Sequence, residues 1–83
     1  CILDEVDTFK TQTCAGQVDS YTFNGRTVFA FADSNDNCTD GGVSILDEDC
    51  VQICFLDGIA GFTECEGMDF TDNAVHLNLI WKK

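Results

Sequence analysis

The first residues of the chain are spaced as in an amphipathic helix. Ile2, Val6 and Phe9 fall at positions i, i+4 and i+7, so they would share one face of an α-helix. Acidic residues occupy the other side and the first turns, where the helix dipole favours negative charge. The pattern predicts a helix over residues 1–12.

The clearest local pattern is a β-hairpin around Asn24-Gly25. Residues 18–23 and 26–31 are rich in β-forming side chains, and Asn-Gly between two such runs is typical of a type I′ turn, in which both turn residues have positive φ. A two-residue turn determines the pairing: Phe23 with Arg26, Tyr21 with Val28, Ser20 with Phe29 and Val18 with Phe31. Apolar side chains fall on both faces, so we expect both faces to be at least partly covered.

The remainder of the chain reads as loops and further strands. Residues 33–42 are polar and indicate a loop, whereas residues 44–47 and 51–56 indicate a second strand pair around an acidic turn. Residues 57–67 are expected to be irregular, and residues 75–81 alternate as in a strand. We therefore predict one α+β domain over residues 1–83, a small disulfide-rich fold with a short N-terminal helix packed on a four- or five-stranded antiparallel sheet.

Charge and composition exclude several classes of function. The 83 residues include fifteen acids and four Lys or Arg, which gives a net charge of −11. Nucleic-acid binding depends on basic side chains that neutralise phosphates, so nucleic acid is excluded as a partner. The hydrophobic fraction of 45% is too high for a disordered chain, and no apolar run approaches the roughly 20 residues of a membrane span.

Cysteine usage points to an oxidising compartment. The six cysteines are even in number and include no CxxC pair, which favours three structural disulfides in a secreted or cell-surface protein. They are Cys1, Cys14, Cys38, Cys50, Cys54 and Cys65. Cys50 and Cys54 would lie about 13 Å apart on one strand, too far to pair with each other. Thiolate ligation of a metal and an intermolecular bridge through Cys1 are the alternatives.

The polar loop carries oxygen ligands of the kind that Ca²⁺ prefers. They are Asp33, Asn35, Asn37 and Asp40. The EF-hand pattern is not met, because Cys38 stands where that loop needs glycine and the final glutamate is missing. A solvated turn is therefore the favoured interpretation, and a calcium site is the alternative; no other cofactor is indicated.

Several residues are candidate glycosylation sites. Asn37-Cys38-Thr39 is an N-x-T sequon. Asp-Ser and Asp-Thr pairs resemble the O-glycosylation acceptors of some bacteria, which adds Thr8, Ser20 and Ser34.

Catalytic patterns are weak. His76 is the only histidine and falls inside a predicted strand, where a cross-strand role is expected. The serines lack the Gly-x-Ser-x-Gly setting of hydrolases, and no glycine-rich phosphate loop occurs. We expect no enzymatic activity and assign no catalytic residue.

The last predicted strand is the main candidate interaction surface. It has strong β character and neither proline nor fixed charge, and such a strand recruits other chains when its edge is exposed. Pairing inside its own sheet is the favoured interpretation, and burial against a second subunit is the alternative. The side chains assigned to self-association are Val75, Leu77, Leu79 and Trp81, followed by Lys82 and Lys83 as gatekeepers.

A series of short motifs runs along most of the chain. The motifs are Cys1-Ile2 and Phe9, Tyr21-x-Phe-Asn-Gly-Arg-x-Val-Phe, Ser44-Ile45-Leu46-Asp47, Ile53-Cys54, Gly61-Phe62-Thr63, Cys65, Asp69-Phe70 and Leu79-Ile80-Trp81. In this order they resemble an uncharacterised family of short secreted or lipid-anchored proteins of Bacteroidetes-type bacteria. The family has two adjacent cysteines near the position of Cys38, whereas this chain has one and adds Cys14 and Cys50. The resemblance implies an envelope or extracellular location and no catalytic role.

Together these observations predict a non-enzymatic extracellular structural or adhesive module, the repeating subunit of a filament or matrix. Its partner would be a further copy of itself or another extracellular protein. A small secreted inhibitor or binding module that acts through the loop at residues 57–67 is one alternative. A calcium-dependent adhesion domain is another.

Overall fold

The computed structural model describes residues 1–33, 42–57 and 61–83. A five-stranded antiparallel sheet is the centre of the fold, with strand order β4-β3-β2-β1-β7, and a small two-stranded sheet is formed by β5 and β6. The elements are α1 (Ile2–Phe9), β1 (Ala15–Phe23), β2 (Arg26–Asp33), β3 (Val43–Leu46), β4 (Gln52–Leu56), β5 (Glu64–Cys65), β6 (Met68–Asp69), α2 (Phe70–Asn73) and β7 (Val75–Lys82). The predicted small α+β fold is confirmed.

The predicted hairpin forms the middle of the sheet. Asn24 and Gly25 have φ values of 53° and 78°, as the type I′ turn requires. Strands β1 and β2 pair in the predicted register, with Phe23 opposite Arg26 and Val18 opposite Phe31. The strands extend beyond the predicted residues, because β1 begins at Ala15 and β2 ends at Asp33.

Each face of the sheet carries its own hydrophobic cluster. On one side, called the helix face, Val6 of α1 packs with Val18 and Phe31. On the other, called the α2 face, Phe23 and Phe70 belong to a cluster that also includes Val28, Ile45 and Cys65. The expectation that both hairpin faces are covered is confirmed, because the sheet is the middle layer between α1 and the β5–β6–α2 segment.

Disulfides attach both outer layers to the sheet. Cys1 at the start of α1 is bonded to Cys50, with 6.0 Å between the Cα atoms, and Cys54 of β4 is bonded to Cys65 of β5. Cys14 is also disulfide-bonded, and Cys38 lies outside the described residues. The alternative of an intermolecular bridge through Cys1 is therefore wrong, since its partner is in the same chain.

Two local predictions need correction. The first helix ends at Phe9 instead of residue 12, and Thr11 turns the chain by donating its hydroxyl hydrogen to the Thr8 carbonyl at 2.7 Å. Residues 57–67 are not wholly irregular: Glu66 and Gly67, with φ of 53° and 81°, connect β5 to β6. This second tight turn was missed because glutamate is not a typical turn residue at positive φ.

Candidate functional site

Strand β7 forms an edge of the five-stranded sheet. Among the described strands it pairs with β1 and with no other, so the backbone N–H and C=O groups along its outer side have no strand partner there. Four of its apolar side chains are exposed, Val75 by 64%, Leu77 by 44%, Leu79 by 52% and Ile80 by 40%. We call these four side chains the β7 patch.

The opposite edge of the sheet is formed by β4. Just beyond the end of this strand, Asp57 and Phe62 exchange two backbone hydrogen bonds of 2.9 Å. The Cys54–Cys65 disulfide holds β5 against the α2 face of β4, with 5.2 Å between the Cα atoms. Within the part of the chain that the structure describes, no strand pairs with the outer side of β4 or of β7, and β7, with eight residues against five in β4, is the longer of the two edges.

Irregular pairing with β1 changes which β7 side chains share a face. The register of β7 against β1 shifts twice. One residue of β7 is skipped between Leu79, which lies opposite Asp19, and Trp81, which lies opposite Val18. A second is skipped between Leu79 and His76, which lies opposite Tyr21. Each shift adds one residue to β7, as in a β-bulge, and turns the following side chain to the other face. The regular alternation predicted for residues 75–81 is therefore wrong, and Leu79 does not share a face with Val75 and Trp81.

Trp81 belongs to the core and not to the exposed patch. Its ring meets Phe9 of α1 edge to face, with centroids 6.1 Å apart, and it packs against the helix-face cluster of Val6, Val18 and Phe31. Ile80, which was not among the residues assigned to self-association, is exposed instead. The alternation of the sequence could not reveal this exchange, because the bulges depend on the pairing with β1.

A polar cluster joins β1 to β7 on the α2 face. Asp19 is buried, and its carboxylate oxygens lie 2.9 Å from Nε2 of His76 and 2.6 Å from Nε2 of Gln17. The ring of His76 also meets Tyr21 edge to face, with centroids 5.2 Å apart. The predicted cross-strand role of His76 is confirmed, and sequence reasoning missed Asp19 because its partner is far away along the chain.

The cluster does not bring a described serine to the histidine. Ser20 lies on the helix face, where its hydroxyl accepts a hydrogen bond of 3.2 Å from the backbone N–H of Asn78. Ser44 also lies on the helix face, since it pairs with Phe31. His76 lies on the other side of the sheet, so neither hydroxyl can form a serine–histidine pair with it.

Tyr21 has a perturbed acidity. Burial raises the pKa of its phenol above the ordinary value of about 10, and the negative charge of Asp19 raises it further. Both causes disfavour the phenolate, the first by desolvation and the second by repulsion.

This perturbation predicts an alkaline transition. Tyr21 is the only tyrosine, so the ultraviolet absorbance of tyrosinate reports on it alone, and its midpoint should lie above pH 10 in the folded protein. The unfolded chain loses this proton first, so the contribution to stability is complete below about pH 10 and is lost as the pH rises toward the folded-state pKa. Asp19→Asn should lower the midpoint, whereas Asp7→Asn in α1 should not; an unchanged midpoint in Asp19→Asn would contradict the assignment.

The candidate metal and glycosylation sites fall largely outside the described residues. Of the four calcium ligands, Asp33 ends β2, while Asn35, Asn37 and Asp40 lie in the segment that is not described. In residues 1–33, 42–57 and 61–83 no three ligand-type side chains form a metal-binding group.

The proposed glycosylation acceptors differ in solvent exposure. Thr8 is exposed on α1, whereas Ser20 is only 4% exposed and hydrogen-bonded, so Ser20 is not accessible to a glycosyltransferase in the folded domain. Asn37 and Ser34 lie outside the described residues. Among the described residues, Thr8 is therefore the remaining candidate for glycosylation.

A cleft of about 270 Å³ lies between α1 and the helix face of β2, β3 and β4. The carboxylates of Glu5 and Asp33 and the hydroxyls of Thr8 and Ser44 contribute to its lining, beside the ring of Phe31. No residue of this lining is basic, so the cleft favours hydroxyl or cationic groups over anions.

Charges are distributed unequally around β7. Residues 75–81 carry no formal charge when His76 is neutral, and Lys82 and Lys83 follow. At the other end of the strand, α2 carries Asp72 in its first turn and is capped by Asp69, whose carboxylate accepts a hydrogen bond of 2.9 Å from the Asp72 backbone N–H. The strand therefore has an acidic beginning and a basic end.

The described helices contain eight and four residues, and neither has the length and apolar character needed to cross a membrane. Together with the sheet and its disulfides, these features define the chain as a small disulfide-rich α+β domain with an exposed strand edge.

Residues 4–83 match the family model described as a domain of unknown function, DUF6970, and the chain belongs to this family. No curated protein and no solved structure matches the chain. The resemblance to an uncharacterised family is confirmed to this extent, while the bacterial group and the secreted or lipid-anchored state stay predictions.

Proposed function

We propose that the domain is a non-enzymatic extracellular structural or adhesive module that assembles with copies of itself into a filament or matrix. The observation that carries this proposal is the open edge of β7 with its four exposed apolar side chains. A strand of eight residues that no other described strand covers offers backbone hydrogen-bonding groups to another chain. The disulfides on both outer layers are compatible with an oxidising, extracellular location.

Electron microscopy tests the assembly directly. The oxidised protein should be imaged by negative stain at high concentration, without reducing agent and after removal of any fused tag. Regular filaments or a connected lattice are expected. Dispersed particles at every concentration would contradict the proposal and direct the search to a soluble partner.

Leu79→Lys should prevent this assembly. It places a charge in the middle of the β7 patch, and inward or edge charges are a common means of blocking strand addition. Because Leu79 is 52% exposed, the monomer should unfold with a free energy within about 0.5 kcal/mol of the parent. Assembly is measured by light scattering, with urea unfolding as the check on the fold.

The matched control is Leu3→Lys on α1, where the leucine is 77% exposed and lies outside β7. It introduces the same charge and removes the same side chain, so it should leave the scattering unchanged. Equal loss of scattering in both variants would show that net charge, and not the β7 edge, controls the assembly.

A binding module is the second candidate, and one observation favours it. Phe62 is 60% exposed on the segment that the Cys54–Cys65 disulfide closes, and aromatic side chains are common anchors in protein interfaces. Stoichiometry separates the two functions: a binding module stays monomeric and forms a one-to-one complex, which Phe62→Ala weakens. A structural module self-associates without a partner, and Phe62→Ala leaves that association unchanged.

A further inference from the structure

We infer that β7 pairs antiparallel with β7 of a second copy, about a two-fold axis that passes beside Asn78. This inference rests on the proposed self-association and names its geometry. The result is a symmetric dimer in which the two five-stranded sheets join into one sheet of ten strands. A two-fold contact of this kind uses the same surface on both subunits and closes on itself, so the dimer, and not the single chain, is the unit from which a larger assembly would be built.

The charges beside the two sheet edges favour one symmetry of the contact. A head-to-tail arrangement would place β7 of one copy on β4 of the next. Asp49 and Asp57 lie beyond the two ends of β4, so either direction of pairing would set the acidic beginning of β7 beside a like charge. Antiparallel pairing of β7 with its own copy sets an acidic end beside a basic end twice, and such a contact is isologous.

The faces of β7 restrict the register. In antiparallel pairing about a two-fold axis normal to the sheet, residues directly opposite each other lie on the same face. Val75, Asn78 and Trp81 share the helix face, because their partners in β1 are Thr22, Ser20 and Val18.

Centring the axis on Asn78 satisfies this restriction. Asn78 then lies opposite its own copy and Val75 lies opposite Trp81. The 64% exposed side chain of Val75 would be covered by the indole edge of the other subunit. The same register places Leu77 opposite Leu79, so the β7 patch of each copy contacts that of the other.

Charge complementarity favours this register and a second copy of the chain as the partner of β7. The register sets Lys82 opposite Ala74, the residue that follows α2, so that its ammonium group approaches Asp72 of the other copy. Lys82 pairs with Gln17 of β1, which places it on the α2 face, the same face on which α2 packs. The contact occurs twice by symmetry, and in a chain of net charge −11 these two contacts offset part of the repulsion between the subunits.

Cross-linking tests the axis. In the variant Asn78→Cys the two added thiols would face each other across the axis at a Cα separation of about 4.5–5.5 Å, which a disulfide can span. After mild oxidation at micromolar concentration, the covalent dimer should exceed that of the control Lys10→Cys by more than about tenfold, because pairing raises the effective thiol concentration to the millimolar range. Non-reducing electrophoresis and intact mass measure the product, and near-ultraviolet circular dichroism checks the fold.

A charge exchange tests the register without a new cysteine. Lys82→Glu should raise the dimer dissociation constant by about tenfold, since it sets like charges together twice. The double variant Lys82→Glu, Asp72→Lys should restore it, as measured by sedimentation equilibrium. Failure of the double variant to recover affinity would overturn the register.

The outcomes separate this inference from the proposed function. Filaments or dimers that form without cross-linking of Asn78→Cys would overturn the two-fold geometry and leave self-association standing. A wild-type mass that stays at 9.1 kDa at every concentration would overturn both. Cross-linking together with rescue by the charge exchange supports the inference, even where no filament is seen.

Discussion

Replacement of both Cys1 and Cys50 by alanine is expected to lower the free energy of unfolding by about 4 kcal/mol. The bond joins residues separated by 49 positions, and a cross-link that closes a loop of this length restricts the unfolded chain by about that amount in the chain-entropy model. It also attaches α1, which has eight residues and one buried side chain, Val6. Such a short helix is marginal alone. Urea unfolding of dilute protein, followed by circular dichroism, measures the loss.

Removal of the Cys54–Cys65 bond provides the comparison. Its sequence separation is 11, so the same model gives about 3 kcal/mol, to which alanine at the fully buried Cys65 adds a cavity. The two double variants also differ in location: loss of Cys1–Cys50 should increase amide exchange in α1, and loss of Cys54–Cys65 in β5 and β6. A loss below about 1 kcal/mol in the first variant would show that packing of Val6 and Phe9 is sufficient to hold the helix.

Phe23→Ala is expected to cost about 3–5 kcal/mol. The ring is fully buried and its centroid lies 5.0 Å from that of Phe70, so truncation leaves a cavity between the sheet and α2. The domain has 83 residues, and a domain of this size has a total stability of about 4–12 kcal/mol. The alanine variant could therefore unfold, and Phe23→Leu, with an expected cost of about 1 kcal/mol, keeps the measurement within range.

Phe62→Ala is the matched control for Phe23→Ala, because it removes the same side chain from a site that is 60% exposed. Its effect should stay within about 0.5 kcal/mol. Similar losses at the two positions would contradict the assignment of Phe23 to the core and of Phe62 to the surface.

Local chemistry explains what could be predicted from the sequence. The hairpin depends on two turn residues and on β-forming runs beside them, so its register followed without any distant contact. The short strands around the acidic turn followed from the same kind of pattern. The β5–β6 turn and α2 were not predicted. Glu66-Gly67 and the cap of Asp69 are weak signals in a segment with little hydrophobic periodicity.

Long-range pairing explains what could not be predicted. The alternation of Val75, Leu77, Leu79 and Trp81 indicated a strand correctly, but one bulge against β1 separated Leu79 from Trp81 and a second separated Val75 from Leu79. The bond between Asp19 and His76 joins residues 57 positions apart. No local pattern specifies such a contact, so the polar cluster and the true membership of the β7 patch became visible only in the folded chain.

The position of β1 in the sheet has a consequence for the order of events during synthesis. One side of β1 pairs with β2, which begins after a turn of two residues. The other side pairs with β7, which is synthesised much later, since Asn78 of β7 bonds to Ser20 over a separation of 58 positions. At about 5–20 residues per second, the ribosome leaves that side of β1 without its native neighbour for several seconds. Incomplete chains therefore expose an unpaired side of β1, to which β7 of a neighbouring completed chain can add, and dilution or a holding chaperone would then raise the yield of correctly folded protein.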